Sequence, residues 1–219
     1  MKNKILSLGL VFTILVSMFA LTGCGKSNNE KKDDGKEVAE EKFSIDNNSC
    51  YYVKINGTKL KAGDKISSVS SVGLKIKDKN LSTEIPKNRY LLAQYVVDSN
   101  EKEICEFVPL NDTDNKITVA DAVIGGFEVG TYNYKKIAQE TLAYDIEIYG
   151  GIKLGSSYDD MVRVFGEPEF KYEAQANEQL KMEAYTTYKY YKGYKAFEFI
   201  VDDSGKISEI KWNNYDYKD

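Results

Sequence analysis

The spacing of apolar positions changes along the chain, and each change predicts a different element. After Met1-Lys2-Asn3-Lys4 comes an apolar run from Ile5 to Leu21, broken only by small or hydroxyl residues. A basic start, an apolar run and small residues at its end predict a secretory signal over residues 1–23. From Gly25 to about Lys42 apolar residues almost vanish. Such a segment buries too little surface to offset its ordering entropy, so residues 24–42 read as a disordered tether. A flexible coil of that length has an r.m.s. span of roughly 20–25 Å.

Further on, Tyr158, Met161, Val162 and Phe165 fall at i, i+3, i+4 and i+7. That spacing predicts one apolar helix face. Ser157 is a natural N-cap with Asp160 three residues on. Asp159 and Asp160 suit the helix dipole in the first turn. Gly166 and Pro168 predict the stop. Period-two runs then predict strands over Met182–Tyr191, Lys195–Val201 and Lys206–Trp212, joined by turns at Lys192-Gly193 and Asp202–Gly205. A two-residue turn at Lys192-Gly193 sets Tyr188 opposite Phe197 and Tyr191 opposite Tyr194. Thr186, Tyr188, Tyr190, Phe197, Phe199 and Val201 then share the face that packs the helix. Tyr185, Thr187, Lys189, Tyr191, Tyr194 and Glu198 face the other way. Tyr90–Val97 and Lys102–Val108 predict a similar hairpin around Asp98–Glu101.

Two stretches resemble each other: Val53 to Gly73 and Ile146 to Gly166. Each reads strand, glycine turn, Lys-Leu, glycine, short helix, glycine. In the first, Asp64 is the candidate cap and Ile66, Val69 and Val72 form a narrower face among serines. The pattern predicts an α+β fold: two related units of a short helix packed on an antiparallel sheet, after the signal peptide and tether. The units run over 43–130 and 131–219.

Leu21-Thr22-Gly23-Cys24 closes the apolar run and resembles the lipobox of bacterial lipoproteins. The resemblance implies that Leu21, Thr22 and Gly23 are read by the processing enzymes, and that the Cys24 thiol carries diacylglycerol and becomes the first mature residue. Two acyl chains anchor stably where one does not. The alternative is an uncleaved anchor, since the run is near the ~20 residues a span needs. A span, however, needs no cysteine there. Further on, Gly151-Ile152-Lys153-Leu154-Gly155, the capped helix, Phe165-Gly166-Glu167-Pro168, the Tyr-rich strands and Asp203-Ser204-Gly205-Lys206-Ile207 resemble the SmpA/OmlA-like and beta-lactamase inhibitory protein fold. The resemblance covers Ile146 to Trp212, with a fainter echo over Val53 to Val108. It implies short helices on an antiparallel sheet and binding of partner proteins, with no catalytic residue. The first copy departs from it, lacking the acidic pair and the proline after Gly73.

Composition narrows the chemistry. Removing Lys2 and Lys4 with the signal takes the formal net charge from −4 to −6. An acidic chain without a basic stripe makes nucleic acid a poor partner. There is no histidine, which removes His-based triads and His-ligated metals. No nucleophile elbow or P-loop occurs. Gly125-Gly126 and Gly150-Gly151 read as turns, and Asp112, Asp114 and Asn115 as a solvated turn rather than a calcium loop. Asp159 and Asp160 point about 100° apart on a helix, so they do not converge on a substrate. No cofactor or metal is expected, and no enzyme. Cys50 and Cys105 form either an extracytoplasmic disulfide or two buried thiols.

Tyrosine is common, 17 in the chain, as suits a sheet with one wet face. Tyr185, Tyr191 and Tyr194 are the candidate binding platform, against plain cross-strand packing. The expected function is a non-catalytic interaction module, held at the extracytoplasmic face of the cell membrane by lipid on Cys24. Its expected ligand is an envelope protein, or a peptide laid along the sheet. The alternatives are a solute-binding or a cell-wall-ligand-binding lipoprotein.

Overall fold

The computed structural model describes residues 42–130, 139–179 and 182–215, so the signal, the lipobox with Leu21, Thr22, Gly23 and Cys24, and nearly all of the tether lie outside the described residues. Glu40–Asp219 forms one compact unit. Its first part holds β1 (Tyr52–Ile55), β2 (Thr58–Lys61), β3 (Lys75–Ile76), β4 (Glu84–Ile85), β5 (Arg89–Tyr90), β6 (Gln94–Val97), β7 (Glu103–Asn111), β8 (Ile117–Thr118) and β9 (Val123–Gly130). After them come α1 (Gln139–Leu142), β10 (Ile146–Ile148), α2 (Tyr158–Phe165), β11 (Phe170–Ala174), β12 (Tyr185–Lys192), β13 (Lys195–Asp202) and β14 (Ile207–Asn213).

One antiparallel sheet of nine strands dominates, in the order β11-β12-β13-β14-β9-β7-β6-β3, with β5 also on β7. A three-stranded sheet, β10-β1-β2, and the pair β4-β8 complete the strands. This corrects the expected helix-on-sheet repeat: the protein is sheet-dominated. Two physical reasons stand out. β9 pairs with β14 from Gly130↔Glu209 to Gly126↔Asn213, so strands from both halves of the chain share one sheet. The segment expected as the first helix, Ile66–Val72, is a 3₁₀ helix. Its serine hydroxyls donate back to nearby carbonyls, Ser68 to Lys65, Ser70 to Ser67 and Ser71 to Ser68. That competition weakens an α-helix. Asp64 caps no helix either; its carboxylate accepts from the Lys61 amide, 2.8 Å away. The stretches that resemble each other in sequence do contribute adjacent strands, with Val53 opposite Ile148 and Ile55 opposite Ile146.

Helix α2 follows its sequence signals. Ser157 Oγ accepts from the Asp160 amide (3.1 Å), and the Asp160 carboxylate accepts from the Ser157 amide (3.2 Å), a reciprocal capping box. The Gly166 amide closes the last turn on Val162, with φ at +82°. Met161 and Phe165 are buried, with Tyr158 and Val162 packed beside them. Gly150, at φ +67°, lets the preceding turn lie against α2: a Cβ there would clash with the Val164 side chain.

The inner face of the large sheet carries a row of aromatic side chains on adjacent strands. Phe107 pairs with Phe127, Phe127 with Trp212, Trp212 with Phe197, and Phe197 with Tyr190. All five are buried. Phe165 of α2 sits over the row's far end, with ring centroids 5.1 Å from Phe197 and 5.4 Å from Tyr190. Tyr51, just before β1, lies 4.8 Å from Phe197. The expected inner face of β12 and β13 is therefore correct in its membership. Its register differs: the turn is Gly193-Tyr194, and Tyr188 pairs with Phe199, Tyr190 with Phe197 and Tyr191 with Ala196. A slip of two residues keeps every side chain on its face.

Gly125 and Gly126 are not a turn. They lie inside β9, at a register irregularity opposite Val108 and Pro109. A Cβ on Gly125 would meet Leu110 Cβ at 2.7 Å, and one on Gly126 would meet Asn213 Oδ1 at 2.6 Å. Glycine in a strand marks this kind of bulge and close approach. The Asp112–Asn115 segment is a turn as expected, pinned by the buried Asn111. Its Nδ2 donates to the carbonyls of Ile85, Pro86 and Asn115, while Oδ1 accepts from Thr113.

Candidate functional site

The strands that hold the aromatic row inward also present a second row outward, because side chains alternate faces. Across adjacent strands that row reads Phe170, Lys189, Glu198, Lys211, Glu128, Glu106, Tyr95. Its middle is charged. Lys189 pairs with Glu198 at 2.6 Å, and Lys211 reaches both Glu128 at 3.1 Å and Glu209 at 2.7 Å. Glu209 is only 3% exposed, and burial pushes its carboxyl up. Burial pulls the Lys211 amine down, but the carboxylates of Glu209 and Glu128 hold it above its ordinary value. Glu106 stands directly opposite Glu128. Burial first, and then the Glu128 charge, push Glu106 up to about 7. Shifts of this kind gather at functional sites, though ion-pair networks produce them too. Among the described residues no three His, Cys, Asp or Glu side chains form a group that could hold a metal.

The end of the row toward β11 is aromatic. Phe170 and Tyr172 on β11 share the outer face with Tyr185 and Tyr191 on β12. Phe170 pairs with Lys189, Tyr172 with Thr187 and Ala174 with Tyr185. Tyr191 is therefore diagonal to Phe170, and Tyr185 to Tyr172, at about 7–8 Å, while Phe170 and Tyr172 are successive residues on the same face of β11. Phe170 is 45% exposed, Tyr172 53% and Tyr191 49%. Tyr185 is partly buried. The rings rest on two paired antiparallel strands, and Tyr presents contact area with a polar tip at small entropy cost.

Of the residues expected as a platform, Tyr191 and Tyr185 lie on this strip, at opposite ends of it. Tyr194 occupies the turn beyond β12, 54% exposed, rather than a strand face. Phe170 and Tyr172 were not foreseen. Their signal was the alternation Phe170-Lys171-Tyr172-Glu173 two residues after Pro168, short but period-two. Cys50 and Cys105 are both buried thiols, and burial pushes the Cys105 thiol well above its ordinary value. That makes it a poor nucleophile. Asp160 is held below the ordinary carboxylate range by the Ser157 hydroxyl and amide and by Arg163, which suits a cap rather than an acid. As a place for a small ligand, one depression of about 360 Å³ is lined by Leu142, Tyr144, Ile146, Lys153 and Leu154 among others. It is remote in sequence from the strip. Among the described residues no helix is long and apolar enough to cross a membrane. No family model matches the sequence, no curated protein matches it, and no solved structure matches the chain.

Proposed function

We propose that this protein is a lipid-anchored, extracytoplasmic interaction module without catalytic function, which binds an envelope protein through the outer face of strands β11 and β12. The observation that carries the reading is the exposed aromatic strip of Phe170, Tyr172 and Tyr191 beside the Lys189–Glu198 and Lys211–Glu128 ion pairs of the same sheet face. Interface cores are enriched in aromatics and depleted of charge, with a polar rim, and the strip beside the Lys189–Glu198 pair has that composition. Anchoring through Cys24 is supported by the signal and lipobox text. It confines recognition to the layer just outside a membrane.

The test is capture from cell envelopes with the 43–219 fragment. The wild-type fragment retains a specific protein. Phe170→Lys with Tyr172→Lys loses it while keeping the far-UV spectrum and melting temperature. Retention of wall polymer, or of a small molecule, in place of a protein would favour the rival readings. The 360 Å³ depression beside Leu142 is the feature that favours a small ligand, since ligand sites commonly start near this volume.

A further inference from the structure

We propose that β11 pairs with β11 of a second copy of this chain, antiparallel and centred on Tyr172, joining the two nine-stranded sheets edge to edge. Sheet edges with unpaired N–H and C=O groups template strand addition, and proteins usually blunt them. β11 closes one end of the large sheet, and among the described residues no strand pairs on its far side. Phe170, Lys171, Tyr172 and Glu173 are all exposed. At the other end of the sheet stands β3, only two residues long.

The sequence of the edge selects both the partner and the register. When an antiparallel pair of identical strands is centred on Tyr172, Tyr172 faces its own copy, Phe170 faces Ala174, and Lys171 faces Glu173. Both cross-chain ion pairs are then complementary. Centring on Lys171 sets lysine against lysine, and centring on Glu173 sets glutamate against glutamate. Like charges directly opposite are unfavourable, and opposite charges and aromatic pairs favourable. The chosen register also keeps faces together. Phe170, Tyr172 and Ala174 alternate with Lys171 and Glu173, so the aromatic strips of both copies meet on one surface. Within one chain Lys171 and Glu173 already pair at 2.7 Å, and the second copy extends that pair into a four-membered ring of alternating charge. Such a symmetric contact is isologous and closed, which gives a dimer rather than a fibre.

A strand pair this short buries less than the ~800 Å² per partner typical of stable complexes. Confinement on a membrane supplies the effective concentration. In this respect alone the proposal rests on lipid anchoring. The test therefore uses the full chain in its own cells, with fractionation run beside it, so that loss of anchoring and loss of pairing are seen separately.

Tyr172→Cys, oxidised in intact cells, is expected to give a disulfide-linked dimer on a non-reducing gel. Antiparallel neighbours sit about 4.5–5.5 Å apart at Cα, within disulfide reach. Phe170→Cys is expected to give no more dimer than the wild type. In this register the two copies of position 170 are four residues out of step, about 13 Å. Two further variants in the Tyr172→Cys background test the charges. Lys171→Glu alone and Glu173→Lys alone are each expected to lose most of the cross-linked species. Co-expressed with different tags, they are expected to recover it as the mixed dimer, since each then faces its opposite charge. A chain found in the membrane fraction whose Tyr172→Cys variant stays monomeric overturns the proposal. So does equal cross-linking at positions 170 and 172, or failure of the mixed pair to recover.

Discussion

Glu106→Gln is expected to stabilise the protein at alkaline pH and to leave it unchanged at acid pH. The physical cause lies in the outer row. Glu106 on β7 is half-buried and faces Glu128 on β9, with Glu209 and Lys211 on β14 nearby, Glu103 along its own strand and Tyr95 opposite on β6. Burial and the Glu128 charge push its carboxyl up to about 7 from the ordinary 4.5. The folded state thus holds a proton that the unfolded chain has released. Stability then falls as pH rises from the ordinary value through about 7, and the penalty is complete above it. Taken whole, the displacement corresponds to about 3 kcal/mol. Glu106 is only half-buried, so screening by solvent reduces the effect to about 1 kcal/mol. The amide keeps the shape and removes the charge. Thermal unfolding at about pH 8 should show the variant melting about 2–4 °C above the wild type. Near pH 4.5 the two should coincide, because Glu106 is then protonated in the native state. A variant that melts at or below the wild type at alkaline pH, or shows the same gain at both, would refute the reasoning. It would mean that Lys211 holds Glu106 charged and satisfied.

Other outcomes follow from the same structure. Ser157→Ala removes the cap that Ser157 Oγ gives the Asp160 amide, and should cost about 1 kcal/mol in chemical unfolding with no change in sheet content. Phe165→Ala opens a hole among Phe43, Tyr149, Tyr190, Phe197 and Phe199. It should cost about 3–5 kcal/mol, and a loss under about 1 kcal/mol would show that α2 is not seated there. Cys24→Ser should move the chain from the membrane fraction to the soluble or secreted fraction. Mass spectrometry of the wild-type mature N-terminus should find diacylglycerol on Cys24; an unlipidated or uncleaved N-terminus would contradict anchoring by lipid.

Legibility in the sequence followed locality. Helix α2 could be read to within a residue because its cap, apolar face and stop all lie between Ser157 and Pro168. The β12–β13–β14 meander was legible for a similar reason: alternation fixes faces even where the turn is misplaced by a residue. What failed was non-local. The pairing of β9 with β14 joins residues from opposite halves of the chain, and no pattern within either half announces it. β9 was further hidden by Gly125-Gly126, which read as a turn and serve instead as a bulge packed against Leu110 and Asn213. The serines of Ile66–Val72 were counted as gaps in an amphipathic helix, while their back-bonding holds a 3₁₀ helix. In the candidate site, Tyr191 was legible as an outward tyrosine. Phe170 and Tyr172 were not, because a five-residue edge strand gives too few alternations to stand out.

The aromatic strip on β11 and β12 carries the functional reading, and position-specific cross-linking in the living cell tests it most directly. A photoreactive residue at Tyr191 in the full-length chain faces outward on the second strand, away from the β11 edge. Its control is Leu92, an apolar side chain 83% exposed outside the strip. Irradiation should join the chain at position 191, and not at 92, to one other envelope protein. Adding Phe170→Lys should abolish that adduct. No adduct at 191, or the same adducts from both positions, would contradict the account.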